Sequence, residues 1–101
     1  MNYTKHQLQK IEDLLVEVGY QVRYEKGSFQ SGYCLVENRK IAIVNKFFET
    51  EGRINTLLDI VDKIEINTEG VSEKAQKTLK EIKKAKGADE GKIINDESIN
   101  N

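Results

Sequence analysis

With a single cysteine among 101 residues, no internal disulfide can brace this chain, and nothing in it points to export. With a single histidine, His6, paired imidazoles cannot hold a metal. No apolar run approaches the roughly 18 residues that a membrane-spanning helix needs. The opening "MNYTKHQLQKIEDLLVEVG" mixes charged with apolar residues and has no continuous apolar stretch, so it does not read as a signal peptide. A cytoplasmic location is the default expectation. The formal charge of −1 gives no global attraction to nucleic acid or to an anionic membrane. The stretch "GSFQSG" lacks the lysine and the following helix of a phosphate loop, and no paired-carboxylate signature or metal-ligand cluster is visible. What remains, at 38% hydrophobic and 33% charged, suits one small domain with a well-solvated exterior.

Periodicity organises the chain. Thr4 can cap a helix over residues 5–18, where Leu8, Ile11, Leu14, Leu15 and Val18 recur at helical spacing and Gly19 supplies the terminating positive φ. "YQVRYE" then alternates apolar and polar residues as a half-buried strand does. "YCLVE" and "IAIVN" are two further strands, made antiparallel neighbours by the short turn "NRK". A second helix begins near Thr50 or Glu51 with the stripe Ile54, Leu57, Leu58, Val61 and Ile64, its acidic start suiting the helix dipole. Ser72 can cap a third, whose apolar stripe is narrow: Ala75, Leu79, Ile82 and Thr78. The expected fold class is α+β: a two-layer domain over residues 1–86 with a helix, a three-stranded antiparallel sheet and two helices. Residues 87–101 are expected to form a flexible polar tail, dispensable for folding.

From the hairpin onward the pattern resembles the ImmA/IrrE type of zinc-dependent metallopeptidase, and also a group of small bacterial proteins with "GGYC" or "GGFC" and "VINK". Ile43, Val44 and Asn45 match the end of the peptidase strand. Arg53 matches the approach to its helix, and Thr56 and Leu57 match that helix's opening. The resemblance covers about residues 5–65 and implies a zincin-like core. The peptidase motif is His-Glu-x-x-His; here the two His positions fall on Asp59 and Lys63, and the Glu position on Ile60. An ammonium repels a cation, so the resemblance implies the scaffold without its metal site. Asp59 and Lys63 form instead a ready i, i+4 ion pair. The reading assigns no catalytic, cofactor-binding or metal-binding residue, no small-molecule substrate, and no enzyme activity.

Four other features bear on function. Cys34 is expected to be structural and partly buried, because free cysteine behaves as a small hydrophobe; the rival view makes it a reactive thiol. The third helix carries six lysines (74, 77, 80, 83, 84 and 86) against two glutamates, a local charge of +4. Lys74, Lys77, Lys80, Lys83 and Lys84 could follow a phosphate backbone, but the helix has no arginine or aromatic residue for base contacts, and a solvated face is the plainer reading. One of Phe47 and Phe48 is expected in the core, and the other could join Tyr20, Tyr24, Phe29 or Tyr33 in an exposed patch. Finally, Cys34, Val36, Ala42 and Val44 are expected to share one sheet face, opposite Leu35, Ile41 and Ile43. Two helices cover one face, leaving the small-residue face for a second copy. The expectation is therefore a non-catalytic interaction domain that forms a homodimer or meets another protein; nucleic-acid binding through the lysine helix is the alternative.

Overall fold

Each helix forms where its stripe and caps coincide. A computed structural model describes residues 2–27 and 32–85. Helix α1 spans Lys5–Glu17, and the Thr4 hydroxyl accepts a hydrogen bond from the Gln7 amide at 3.1 Å. Gly19 closes the helix at φ +93°, a conformation that costs a side-chain-bearing residue energy, as the spacing requires. Helix α2 spans Thr50–Lys63, with Glu49 preceding it and Glu51 in its first turn. A third helix, α3, occupies residues 73–85; the Ser72 hydroxyl accepts from the Ala75 amide at 3.2 Å, as a cap should. Among the described residues no helix is long and apolar enough to cross a membrane.

The strands are β1 (Gln21–Glu25), β2 (Tyr33–Val36) and β3 (Ile41–Asn45), in the order β1-β3-β2. β2 and β3 are antiparallel, joined by a 3-10 turn at Glu37–Arg39 and by Lys40 in the left-handed region. β1 and β3 are parallel, which corrects the expectation of a purely antiparallel sheet. The reason lies in the chain between β1 and β2. Residues 26–32 provide enough length to step over one strand position, a gap of roughly 9–10 Å. β3 returns antiparallel to β2 and fills that gap, so it runs with β1. The strand with the most deeply buried residues thereby takes the centre.

Register decides which residues face inward. Tyr33 pairs with Val44 and Leu35 with Ala42, while Val22 pairs with Ala42 and Tyr24 with Val44. Paired residues share a face, so these six point the same way. Ala42 and Val44 are fully buried beneath α1 and α2 alongside Ile11, Leu15, Ile54, Leu57 and Ile60. The other face carries Ile41, Ile43, Cys34 and Val36 together with Gln21, Arg23 and Glu25. The expected grouping of Cys34 and Val36 with Ala42 and Val44 is thus corrected: β2 is one residue out of phase with that assignment. A one-residue slip exchanges the two faces of a strand.

The third helix packs against the other helices. Its Glu81 meets Lys10 at 2.8 Å and accepts from the Gln7 amide group at 3.3 Å, while Glu17 accepts from the Ser72 hydroxyl at 2.7 Å. Ala75, Thr78, Leu79 and Ile82 are buried by this docking. On α1, residues 7, 10, 14 and 17 lie roughly 120° around the axis from Leu8, Ile11 and Leu15. α3 therefore broadens the helical side and, among the described residues, leaves the second sheet face without a helix. The polar tail expected at 87–101, with Lys86, lies outside the described residues.

Candidate functional site

Where the resemblance would place zinc ligands, the structure holds a surface strut. Lys63 and Asp59 are one turn apart on α2 with Nζ 3.5 Å from Oδ2. The Tyr33 hydroxyl on β2 donates to Asp59 Oδ2 at 2.7 Å, and Lys63 Nζ donates to that hydroxyl oxygen at 2.5 Å. The Tyr33 hydrogen bond, followed by the negative charge of Asp59, holds the Lys63 ammonium above its ordinary pKa. The i, i+4 pair was readable from spacing; Tyr33, reaching across from the sheet, was not. Among the described residues no group of three His, Cys, Asp or Glu side chains is placed to hold a metal. His6 is exposed on α1.

A cleft of about 630 Å³ opens between the start of α1 and the start of α2. Its most elaborate feature is Arg53. Arg53 Nε donates to the Phe48 carbonyl and Nη2 to the Lys46 carbonyl, each at 2.8 Å. The guanidinium lies 4.3 Å from the centroid of the Tyr24 ring, and the Tyr24 hydroxyl donates to the Glu12 carboxylate. Burial, then the bond to Glu12 and its charge, push the Tyr24 phenol well above its usual range, with Arg53 opposing. These contacts fasten the β3–α2 connection to α1. The remaining charged lining has both signs, with Lys5 opposed by Glu49 and Glu51, and so forms no single-sign field for a phosphate or a cation.

The open sheet face is the third candidate. Its central strand presents Ile41 and Ile43, flanked by Val36 and Cys34 on β2. All three aliphatic residues are partly exposed, and Cys34 is exposed, which corrects the expectation of a partly buried thiol. Cys34 follows the outward phase of β2, where no helix among the described residues covers it. On β1 the Arg23 and Glu25 side chains form an ion pair at 2.5 Å on the same face. Ala42 and Val44 belong to the core. Of the two adjacent phenylalanines, Phe48 packs against the core and Phe47 is 66% exposed, with the Lys46 ammonium 5.4 Å from its ring centroid. Tyr20, Tyr24 and Tyr33 also pack against the core, so they add no aromatic patch; Phe29 lies outside the described residues.

On α3, Lys74, Lys77, Lys80, Lys83 and Lys84 are all exposed. They occupy the side opposite Ala75, Thr78, Leu79 and Ile82, which bind the helix to the domain. Comparison with protein-family models, with curated proteins and with solved structures finds no match to this chain.

Proposed function

We propose that this domain works by contact rather than by catalysis, and that its open sheet face associates with the same face of a second copy. The observation that carries the reading is the side-chain pattern of β3. A solvated sheet face ordinarily alternates to polar residues, as β1 does with Gln21, Arg23 and Glu25. β3 instead turns Ile41 and Ile43 outward and keeps the smaller Ala42 and Val44 inside. The Arg23–Glu25 pair suits a two-fold contact, since each arginine can meet the other copy's glutamate. The polar groups richest in bonding, Arg53 and the Tyr33–Asp59–Lys63 cluster, are occupied within the domain, which supports a non-catalytic role.

Area sets the strength. Three strands of about five residues present a face of roughly 14 by 17 Å, or about 240 Å². A stable complex buries about 800 Å² per partner. A face this far below the size of a stable interface makes the self-association weak and rapidly reversible. Sedimentation velocity from micromolar to millimolar concentration, in reductant to keep Cys34 from cross-linking, should show a rising weight-average mass. Ile43→Lys should abolish the rise while leaving circular dichroism unchanged. A wild-type chain that stays monomeric at about 1 mM would refute the reading.

The exposure of five lysines on α3 supports a second reading, nucleic-acid binding. Neutralising about four phosphates makes affinity fall steeply, with a slope near −3.6 in log K against log salt on duplex DNA. Fluorescence anisotropy with a labelled duplex at two salt concentrations tests it, and absence of binding at low salt removes it.

A further inference from the structure

β1 forms one rim of the sheet, and among the described residues no strand pairs with its far side. Two hydrogen bonds fix which backbone groups face that rim. The Gln21 amide donates to the Lys40 carbonyl at 2.8 Å, and the Lys46 amide donates to the Glu25 carbonyl at 3.1 Å. In a ladder, one residue directs both N–H and C=O to a given neighbour and the next residue directs both away. Gln21, Arg23 and Glu25 therefore serve β3, while Val22 and Tyr24 aim their backbone groups at the rim. The Val22 and Tyr24 side chains share a face with the fully buried Ala42 and Val44, yet both are partly exposed. α1 adds apolar surface beside them. The Tyr24 hydroxyl donates to Glu12, and Val16, one turn further along the same side of α1, is 62% exposed.

A strand that fits this rim is β1 of a second copy. A two-fold axis makes the two strands antiparallel, and their hydrogen-bonded pairs must be drawn from Val22 and Tyr24. Val22 opposite Tyr24 would set the two Arg23 residues about 4.5 Å apart at Cα, where like charges repel. Val22 opposite Val22 would draw on Tyr20, whose amide is already bonded to the Leu15 carbonyl at 2.8 Å. Tyr24 opposite Tyr24 sets Arg23 of each copy against Glu25 of the other, in the closely spaced positions. It also sets Val22 against Lys26, for about six backbone hydrogen bonds in all. Charges usually blunt an edge strand. Here two opposite charges, two residues apart, block one register and favour another. The Arg23 and Glu25 side chains are 47% and 40% exposed, so exchanging partners costs little desolvation.

We propose that two copies pair along β1, antiparallel and with Tyr24 opposite Tyr24, to form one six-stranded sheet. The pairing rests on the reading that the outer face self-associates, and it enlarges that face. Two joined sheets meet over about 480 Å² instead of about 240 Å². The two-fold axis of the edge stands perpendicular to the sheet and that of the face contact lies in its plane, so both fit a closed tetramer. Each contact alone falls well short of about 800 Å² per partner, and each raises the effective concentration for the other.

Amide hydrogen exchange and isotope-filtered NMR on the full chain, with sedimentation in reductant, test this. The Val22 and Tyr24 amides should exchange freely at about 50 μM and gain protection at about 1 mM. Those of Arg23 and Glu25, bonded to β3, should stay protected at both concentrations. In a mixture of labelled and unlabelled chains, a contact between Arg23 Hα of one copy and Glu25 Hα of the other should mark the register. Arg23→Glu should abolish both signals, and Arg23→Glu with Glu25→Arg should restore them. Val22 and Tyr24 amides that stay open at about 1 mM while the mass rises would overturn the edge pairing and leave the face contact standing. Conversely, an Ile43→Lys chain that still gains edge protection and dimeric mass supports the pairing and removes the face contact. Protection that is complete in the monomer would overturn the pairing too, because the rim is then covered within one chain.

Discussion

The two faces of one small sheet obey different rules. The inner face meets α1 and α2, and there β3 offers Ala42 and Val44, side chains small enough to let two helices settle close to the backbone. The outer face of the same strand offers Ile41 and Ile43, larger and, among the described residues, with no helix above them. Burial alone would assign the larger residues to the interior, where each fully covered branched side chain contributes about 1.5–3 kcal/mol. The inversion shows that the interior is limited by the space beneath the helices. The exterior carries apolar bulk that the isolated fold does not use. β1, polar on its outer face, shows that water is tolerated there when the sequence provides for it.

The sharpest way to break this comparison is to place the same charge on each face of β3. Val44→Lys puts an ammonium into a site with no exposure, packed among Ile, Leu and Tyr side chains. An uncompensated buried charge costs on the order of 3–5 kcal/mol, a large part of the stability of a domain this small. The variant should be unfolded or have its thermal midpoint lowered by well over 10 °C, measured by circular dichroism. Ile43→Lys, one residue earlier and on the other face, should stay within about 1 kcal/mol of wild type. Equal losses in the two variants would mean that the outer face is packed in the monomer.

Next in size is the clasp that ties α1 to the β3–α2 connection. Tyr24→Phe keeps the ring beneath Arg53 and removes only the hydroxyl bonded to Glu12. A loss of about 1 kcal/mol is expected in chemical denaturation. Arg53→Ala removes two carbonyl partners and the ring contact together, and should cost about 2–3 kcal/mol. If the two losses match, the guanidinium adds nothing to the clasp.

These contrasts also show what could be read from residues alone. The helices and strands were legible because Leu8-Ile11-Leu15, Ile54-Leu57-Val61 and Val22-Tyr24 repeat at unmistakable intervals, with Thr4, Gly19 and Ser72 at the ends. The phase of β2 was not. "YCLV" is apolar at every position, so a period of two is present on both faces and favours neither. Tyr33 and Leu35 are inward because Tyr33 pairs with Val44, a long-range choice that no local pattern encodes. Strand order was hidden for the same reason: it depends on where a seven-residue connection lands. For the candidate site, Asp59 and Lys63 were visible as a pair at helical spacing, whereas Tyr33 stands 26 residues from Asp59 and joins them only once β2 packs beside α2.

The smallest expected effect concerns acid and the joint between α3 and α1. The hydrogen bond from Lys10 keeps the Glu81 carboxyl below its ordinary pKa of 4.5, opposed by desolvation and helped by the hydrogen bond from Gln7. The Ser72 amide and hydroxyl do the same for Glu17. A carboxylate whose pKa is lower in the folded state contributes stability that is present above its unfolded pKa and is lost as pH falls through the folded value. Stability should therefore begin to decline near pH 4.5 and continue downward as both groups take up protons. Glu81 is partly exposed, so solvent screening limits its share to less than about 1 kcal/mol. Loss of these contacts should loosen α3 first, because α1 and α2 pack directly on the sheet, whereas α3 is held through α1 and the segment after α2. Hydrogen exchange between pH 6 and pH 3.5, corrected for intrinsic rates, should show protection falling at Leu79 and Ile82 before it falls at Ile54 or Leu57. Glu81→Gln should flatten part of that pH dependence while keeping a hydrogen-bonding group opposite Lys10 and Gln7. Uniform loss of protection across all three helices would show that α3 is no more loosely held than the rest, and that acid acts on the domain as a whole.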